Sequence, residues 1–430
     1  MRLLLIIVGL MAMALTAPAP AQLQGTPSLP TMPTIPTGQL NDSLRDSIQQ
    51  TDRSLQRARR DTLTRLLRAN PRLLERGPDR SVILRSQITA IAPSSESLTQ
   101  ILGSGFSVLS QRELPGLGVN TLVLNAPPGV STRRALDLVR RIDPGGVYDF
   151  NHLYSRSGQD TGSAAATTVT GPVSQAGAYR IGLIDTGVDT QHPDLAASQI
   201  LTRAFEGPVY APAAHGTGIA SLLVGQPERL GAVLPGATLL SADVYGGDPT
   251  GGSVAALLAA LGWMAEEDVA VINISLVGPD NRVLARIVEM MIARGHILVA
   301  AVGNDGPAAD PLYPAAYPGV VGVTGVSARG RALPEACRGD HVDIAAPGMR
   351  LHAAQPGGGE SAVRGTSFAA PYVSGLLAAQ LQRPDREAAA SVIAALLASA
   401  EDQGARGRDR IYGAGVVGLA QISAAETASR

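Results

Sequence analysis

Two hydrophobic patterns alternate regularly along the chain from Tyr179 onward. Short apolar runs rich in Val, Ile and Ala, typical of strands that are buried on both faces, are separated by helical patterns. The runs read RIGLI, TLLSADVY, VAVINISL, HILVAAV, GVVGVTGV and VDIAA, and helices are predicted to begin at Ser253 and Asn281. Because such alternation is typical of crossover connections, it predicts an α/β fold with a mainly parallel central sheet.

The order of elements is different between Ser81 and Tyr154. The pattern there reads strand, helix, strand, strand and helix, followed by a tail, YDFNHLY, without periodicity. This order predicts a small α+β unit of the split βαβ, or ferredoxin-like, type, to which we assign residues 79–154. Residues 155–177, rich in Ser, Gly, Ala and Thr, are predicted to link this unit to the α/β domain at residues 178–430.

The first residues read MRLLLIIVGLMAMALTAPAPAQ, with one basic residue, an apolar run from Leu3 to Leu15 and small residues before Gln22. This pattern is typical of a cleaved secretory signal, assigned to residues 1–21. The run is shorter than the roughly 20 residues that a spanning helix needs, and we expect no membrane span after signal removal. We therefore expect an exported protein, periplasmic or extracellular.

Two further segments precede the α+β unit. Residues 22–39 are rich in Pro and Thr and are predicted to be an extended linker. Residues 40–78 form an N-terminal helical segment, in which apolar residues fall near one helix face until the pattern ends before Pro71.

The charge and the cysteine content narrow the range of functions. The formal net charge of −1 over 430 residues argues against a nucleic-acid partner. The single cysteine, Cys337, cannot form an internal disulfide.

Four polar residues stand at strand exits or helix starts of the α/β domain. Asp185 follows a buried strand, Asn304 leaves another, and His215 and Ser367 each precede an apolar helix pattern. Each has an ordinary structural explanation by itself, as a turn or capping residue. Because polar groups at the carboxyl edge of a parallel sheet lie together, the four also form a nucleophile, a base, a group that orients the base and an amide donor.

The motifs around these residues, DTG at Asp185, HGTG at His215, GN at Asn304 and GTSFAAP at Ser367, resemble those of subtilisin-like serine proteases. The resemblance covers about Ala178 to Ala420. It implies a three-layer α/β fold and endopeptidase activity without a cofactor. It also implies that His215 acts as the base for Ser367, that Asp185 orients His215, and that Asn304 and the Ser367 N–H stabilise the oxyanion.

Peptide or protein substrates would bind as an added strand along exposed backbone. Two segments suit that, Gly251–Ser253 and Ser275–Val277. By the resemblance, Ser275, Leu276 and Val277 form one wall of the pocket before the cut bond, Ala301–Gly303 the other, and Leu312 its base. Because Val277 and Leu312 add side chains where many relatives have glycine, we expect small residues to be preferred there.

The α+β unit resembles the propeptide of these proteases, which assists folding and then inhibits. We expect self-cleavage after Tyr154, since the tail could lie in the active site, or among Ala164–Ala166, where small side chains fit the pocket. In many relatives the residue matching Asp194 helps to bind calcium. The loop that would supply the other ligands reads GQPERLGA here and has no Asn or Asp, so no metal site is predicted.

Other functions remain open from the residues alone. Asp-Thr-Gly also marks aspartic proteases, which need two such carboxylates. The chain has this triplet at residues 160–162 and 185–187, but only the second follows a buried strand pattern, and the first lies in the predicted linker. An esterase is disfavoured because no GxSxG elbow surrounds Ser367. The remaining alternative is a non-catalytic exported binding protein that keeps a protease fold.

Overall fold

The computed structural model describes residues 54–55, 57, 61–156, 159–160, 167–168, 171, 179–207, 209–227, 229–248 and 251–421. The predicted signal, the Pro/Thr-rich linker, the first part of the N-terminal helical segment and most of residues 155–177 lie outside these ranges. Within the ranges, no helix combines the length and apolar character needed to cross a membrane.

The N-terminal α+β unit is an antiparallel sheet with two helices packed on one face. Its elements are β2 (Val82–Ile91), α2 (Ser95–Gly103), β3 (Ser107–Leu114), β4 (Val119–Asn125), α3 (Thr132–Ile142) and β5 (Tyr148–His152). The preceding segment contributes α1 (61–69) and also a strand, β1 (Leu74–Arg76), which joins the sheet. The strands lie in the order β1-β2-β4-β3, with β5 also paired to β2. Apolar side chains of α2, α3 and the sheet form one core, as the split βαβ pattern predicts.

The α/β domain follows. Its first strands and helices are β6 (Ser155–Arg156), β7 (Gln159–Asp160), β8 (Arg180–Asp185), β9 (Ile200–Ala204), α4 (Ala214–Val224), β10 (Thr238–Asp243), α5 (Val254–Glu266), β11 (Val271–Ile274) and β12 (Leu276–Val277). The others are α6 (Arg282–Ala293), β13 (Ile297–Ala301), β14 (Val321–Val326), β15 (Ile344–Pro347), β16 (Met349–Gln355), β17 (Gly359–Arg364), α7 (Thr366–Ala378) and α8 (Arg386–Ala398).

In the described part of this domain, a seven-stranded parallel sheet has the order β15-β14-β13-β11-β8-β10-β9. Neighbouring strand residues point to opposite faces: Leu183 packs with α4 and α7, and Ile184 packs with α5 and α6. The predicted three-layer α/β fold is therefore confirmed. Ser253 and Asn281, where helices were predicted to begin, are the N-caps of α5 and α6.

The prediction that YDFNHLY leaves the α+β unit as an irregular tail is wrong, because Tyr148–His152 is strand β5. Tyr148 and Phe150 pack into the core of the α+β unit. On the other face, Asp149 Oδ2 accepts a hydrogen bond from Arg282 N (2.8 Å) and Asn151 Oδ1 accepts one from Ala255 N (3.1 Å). The polar face of β5 therefore meets the N-termini of α5 and α6, and all five residues are buried.

The sequence patterns did not predict β9, the β16–β17 hairpin or α8. Strand β9 is at the sheet edge and largely exposed, so it lacks a continuous apolar run. Helix α8 is rich in alanine and has only one buried residue, Ala389, so it shows little contrast between its faces.

Candidate active site

Asp185 is the last residue of β8, at the carboxyl edge of the central sheet, and is completely buried. Its Oδ1 accepts a hydrogen bond from the backbone N–H of Thr186 at 2.7 Å. The Thr186 hydroxyl in turn accepts one from Gly216 N at 2.9 Å, at the start of α4. A Cβ on Gly216 would lie 2.2 Å from the Thr186 carbonyl oxygen, so only glycine allows this approach. The strand exit and the helix start are thus joined directly.

His215 lies in the first turn of α4 and bridges the carboxylate and the serine. Its Nδ1 is 2.8 Å from Asp185 Oδ1 and 3.0 Å from Oδ2. Its Nε2 is 3.1 Å from Ser367 Oγ. Because a carboxylate only accepts, Nδ1 is assigned the proton, and Nε2 can accept the proton of the serine hydroxyl. The imidazole is 7% exposed and packs against the ring of Phe368.

Ser367 is the second residue of α7 and is completely buried by the surrounding protein. The N-cap of the helix is Gly365, with φ at 141° and ψ at 166°. This φ lies in the region that favours glycine, and it lets the chain turn sharply from β17 into the helix. The Ser367 hydroxyl and backbone N–H therefore both belong to the first turn of a helix, where the helix dipole favours negative charge.

Asn304 lies just past the end of β13, beside the start of α7. Its Oδ1 accepts a hydrogen bond from Thr366 N at 3.1 Å, and Gly303 N donates to Thr366 Oγ1 at 3.2 Å. Since a backbone N–H must donate, the acceptor is the oxygen of the Asn304 amide, and the amide nitrogen is its donor group. Asp185, His215, Asn304 and Ser367 are thus held at one edge of the sheet, as their positions in the sequence predicted.

A buried polar network beneath Ser367 was not predicted. Ser275 Oγ donates to the Ser367 carbonyl, Asn273 Nδ2 donates to Ser275 Oγ, and Ser374 Oγ donates to Asn273 Oδ1, each at 2.9 Å. All four residues are completely buried. Asn273, a polar residue within the apolar run VINI, was the signal in the sequence, because a buried amide needs partners. The network ties β11 and its exit to α7, the helix that carries Ser367.

The predicted substrate segments are largely occupied by the chain itself. Strand β12 pairs antiparallel with β6, Leu276 opposite Arg156 and Val277 opposite Ser155. On the other side, Gly252 O accepts from Tyr154 N at 2.8 Å. Gly251 instead donates its N–H to Asp248 O within its own loop. Residues 154–156 therefore run as a strand between the two segments that were predicted to bind substrate.

Tyr154 fills a closed pocket in this arrangement. Its side chain is 1% exposed, and its hydroxyl donates to Pro279 O at 2.5 Å. The Tyr245 hydroxyl donates to the Tyr154 carbonyl at 3.1 Å. Burial raises the pKa of the Tyr154 phenol well above its ordinary value. The pocket holds an aromatic ring and satisfies its hydroxyl.

Leu312, the predicted base of the pocket, lies beside Gly303, the residue before Asn304. A Cβ on Gly303 would be 2.5 Å from Leu312 Cδ1. The following peptide bond, Tyr313–Pro314, is cis, and Tyr313 and Gly278 exchange backbone hydrogen bonds of 2.9 and 3.0 Å. Val277 and Leu312 are both at least nine-tenths buried. The Leu312 side chain therefore already occupies the space beside Gly303.

Asp194, where no metal site is predicted, is completely buried. Its Oδ1 accepts a hydrogen bond from Gln226 N at 3.2 Å, and Arg229 Nε lies 4.0 Å away. Arg229 already places a positive charge near Oδ1, whereas Oδ2 is a buried atom for which no hydrogen-bond partner is found among the described residues. A calcium ion would need six to eight oxygen ligands. Among the residues that the structure describes, no three His, Cys, Asp or Glu residues form a group that could hold a metal ion.

Comparisons with known proteins agree with this architecture. The model of the subtilase family matches residues 177–415. Subtilisin from Bacillus pumilus is 30% identical over 213 residues, which cover 47% of this chain and 77% of that protein. Subtilisin E from Bacillus subtilis (strain 168) is also 30% identical over 213 residues, 47% of this chain and 55% of its own length. The chain thus spans about half the length of several curated relatives that it matches.

A solved structure shows the same fold. The crystal structure of fervidolysin from Fervidobacterium pennivorans, a keratinolytic enzyme related to subtilisin, aligns with a TM-score of 0.66 and 20% identity. The alignment covers 79% of this chain and 61% of fervidolysin. The family model covers more than half of the chain, and its range contains all four residues at the sheet edge. The chain therefore belongs to the subtilase family.

Proposed function

We propose that the chain is an exported serine endopeptidase that cleaves peptide bonds through Ser367, His215 and Asp185, with Asn304 in the oxyanion hole. The observation that carries this proposal is the continuous hydrogen-bonded path from Asp185 through His215 to Ser367 Oγ. The three side chains are buried in the folded chain, so bulk water does not compete for these bonds.

The geometry supports a two-step acyl transfer. His215 Nε2 takes the proton of Ser367 as Oγ attacks the substrate carbonyl carbon, and Asp185 stabilises the imidazolium that forms. The negative charge on the carbonyl oxygen is met by the Asn304 amide and the Ser367 N–H. His215 then protonates the leaving amine, the peptide C–N bond breaks, and water hydrolyses the acyl-enzyme with the same base.

Extended polypeptides are the proposed substrates. Residues 154–156 already occupy the place of such a strand, with main-chain pairing to Gly252 on one side and to Leu276 and Val277 on the other. A substrate bound in this way is recognised mainly through its backbone. The residues that line the path then select side chains, with an aromatic ring fitting where Tyr154 lies.

We further propose that residues 79–154 are a propeptide that blocks the site until it is removed. Four groups of β5 bond to the α/β domain: Asp149 and Asn151 cap α6 and α5, and Phe150 O and His152 Nδ1 each accept from Asn281 Nδ2 at 2.9 Å. Leu114 and Leu117 pack in the same apolar core as α5. A propeptide and a signal at residues 1–21 both accord with export.

We propose that self-cleavage occurs further along the chain than the bond after Tyr154. The Tyr154 side chain is enclosed near Gly278 and Pro279, and the paired strand continues past it to Arg156. Ser155 pairs with Val277 and Arg156 pairs with Leu276, so the bound chain runs toward Ser275. Ser275 in turn bonds to the Ser367 carbonyl. The nucleophile therefore lies beyond Arg156 along the bound chain. We propose Ser157–Gly158 as the cleaved bond.

A serine-directed phosphonylating reagent tests the proposed function. Processed wild type should gain one phosphonyl group at Ser367, and Ser367→Ala should gain none. Inhibition by a transition-state peptide aimed at aspartic proteases should be absent. A wild type that takes up no reagent at Ser367 would favour the non-catalytic binding protein.

A further inference from the structure

We infer that the ion pair between Glu335 and Arg364 is a positioning device that sets the distance between Asn304 and Ser367, an inference that rests on the proposed function. Arg364 is the last residue of β17, just before the turn into the nucleophile's helix. Its Nε and Nη2 donate to Glu335 Oε1 and Oε2 at 2.5 and 2.6 Å. Such a bidentate contact fixes orientation as well as distance.

The backbone around Glu335 holds residues 303–306, the oxyanion segment, from the other side. Gly306 N donates to Glu335 O at 2.9 Å, and Cys337 N donates to Gly303 O at 3.0 Å. These two bonds bracket Asn304, which lies between Gly303 and Gly306. Movement of residues 335–337 would therefore move the segment that carries the Asn304 amide.

The third side of the arrangement joins the oxyanion segment to the nucleophile. Asn304 Oδ1 and the Gly303 N–H both bond to Thr366, the residue before Ser367. Three segments, 303–306, 335–337 and 364–367, are thus connected pairwise in a closed ring. Within this ring, the side-chain bond between Glu335 and Arg364 closes the gap between the second and the third segment.

The ion pair is placed to be stiff. The two side chains are only 14% and 30% exposed, which reduces screening by solvent. The hydrogen bonds to Glu335 raise the pKa of Arg364, and the negative charge of Glu335 acts in the same direction. An oxyanion donor acts only at hydrogen-bond distance from an oxygen that becomes charged during the reaction, so small displacements lower the rate. Glu335 and Arg364 would thus affect catalysis through Asn304.

The test compares Glu335→Gln in two backgrounds, the wild type and Asn304→Ala. In the wild type, we expect kcat on a peptide substrate to fall by about 10-fold or more, with KM within about twofold, because a misplaced donor weakens the transition state. Asn304→Ala alone should lower kcat by about 10²–10³-fold. In that background, Glu335→Gln should have almost no further effect, because the group through which it acts is already gone.

Glu267→Gln is the matched control. Arg180 Nη2 donates to Glu267 at 2.9 Å, in a pair that is also partly exposed but lies at the start of β8, the opposite end from Asp185. This variant should leave kcat unchanged. Should Glu335→Gln not fold, Arg364→Lys carries the same comparison, because lysine keeps the charge but lacks the planar two-bond contact.

Each outcome bears on the inference. The inference would be overturned if Glu335→Gln lowers kcat equally in both backgrounds, changes KM alone, or changes neither. In these cases the proposed function still stands, provided that the wild type shows Ser367-dependent activity. A wild type without Ser367-dependent activity would overturn both. Loss of kcat only where Asn304 is present supports the positioning role, and a merely structural role would not produce that dependence.

Discussion

The ring of Tyr154 lies directly over the backbone of Gly278, where a Cβ would be 2.6 Å from the ring atoms. Tyr154 belongs to the α+β unit and Gly278 to the α/β domain, the two parts that the proposed self-cleavage would separate. Because any side chain at position 278 would displace the ring, this contact requires glycine there. The fit makes Tyr154 the principal anchor of the bound segment.

Removing the ring should weaken this anchor. We expect Tyr154→Ala to lose about 3–5 kcal/mol of docking free energy, since the side chain is fully buried. In the full-length chain, this loss should shorten the lag before proteolytic activity appears. Tyr154→Phe, which keeps the ring and loses only the bond to Pro279, should retain most of the lag. Equal lags for Tyr154→Ala and wild type would contradict the anchoring role.

Self-processing should leave a mature chain that begins at Gly158. The expectation follows from the β6–β12 register, which carries the bound chain past Arg156 before it reaches the level of Ser367. Amino-terminal sequencing of wild type and Ser367→Ala, purified in parallel, decides the point. A start at Ser155 would restore the cut after Tyr154, a start near Thr167 would place it among Ala164–Ala166, and identical ends in both proteins would remove self-processing from the account.

The docking of the α+β unit should weaken in acid because of His152. Its Nδ1 accepts from Asn281 Nδ2 at 2.9 Å, so the proton is assigned to Nε2, a buried atom without a hydrogen-bond partner. Burial lowers the pKa of His152 below its ordinary value of 6.5, and the carboxylates of Asp149, Asp79 and Asp280 oppose this effect only in part.

The sign follows from proton linkage. The pKa of His152 is lower in the docked state than in the free state, so His152 binds more protons when it is exposed. The docked state therefore has its full stability above pH 6.5, and this stability falls as the pH drops toward the docked pKa. We expect the Tm of Ser367→Ala to fall more between pH 7.5 and 5.5 than that of the same protein carrying His152→Gln. Because other histidines are shared by both, parallel curves would refute the role of His152.

Substrate selection should favour small residues immediately before the cut bond. Val277 and Leu312 are both buried, and Leu312 fills the space beside Gly303, so little space remains for a large side chain. In a peptide library, Ala and Ser should exceed Phe and Tyr at this position, and Leu312→Gly should narrow the difference. A wild type that prefers Phe or Tyr there would show that the space is larger than these side chains suggest.

The sequence predicted the central sheet and the positions of the four residues at its edge because both depend on local patterns. Asp185 ends a recognisable buried run, and Ser367 begins a recognisable helix. In parallel α/β sheets, chain direction then brings such residues to one edge whatever their separation in the sequence. The same reasoning predicted the N-caps Ser253 and Asn281.

What could not be predicted depends on contacts between distant segments. The pattern of β5 was misread because its polar face meets helix N-termini, and Asp149 and Asn151 resemble loop residues when their partners are unknown. Glu335 and Arg364 are charged residues of the kind usually found on a surface, and nothing in their spacing indicates a pair. Tyr154 packs against Gly278, and no local sequence pattern indicates that these two distant residues are in contact.

The most direct test of the central claim is casein hydrolysis by purified wild type beside Ser367→Ala. The account predicts that wild type cleaves casein and that Ser367→Ala does not, while circular dichroism and Tm show that both are folded, because the substitution removes only the buried hydroxyl that bonds to His215. Casein cleavage by Ser367→Ala at the wild-type rate would contradict the assignment of Ser367 as the nucleophile.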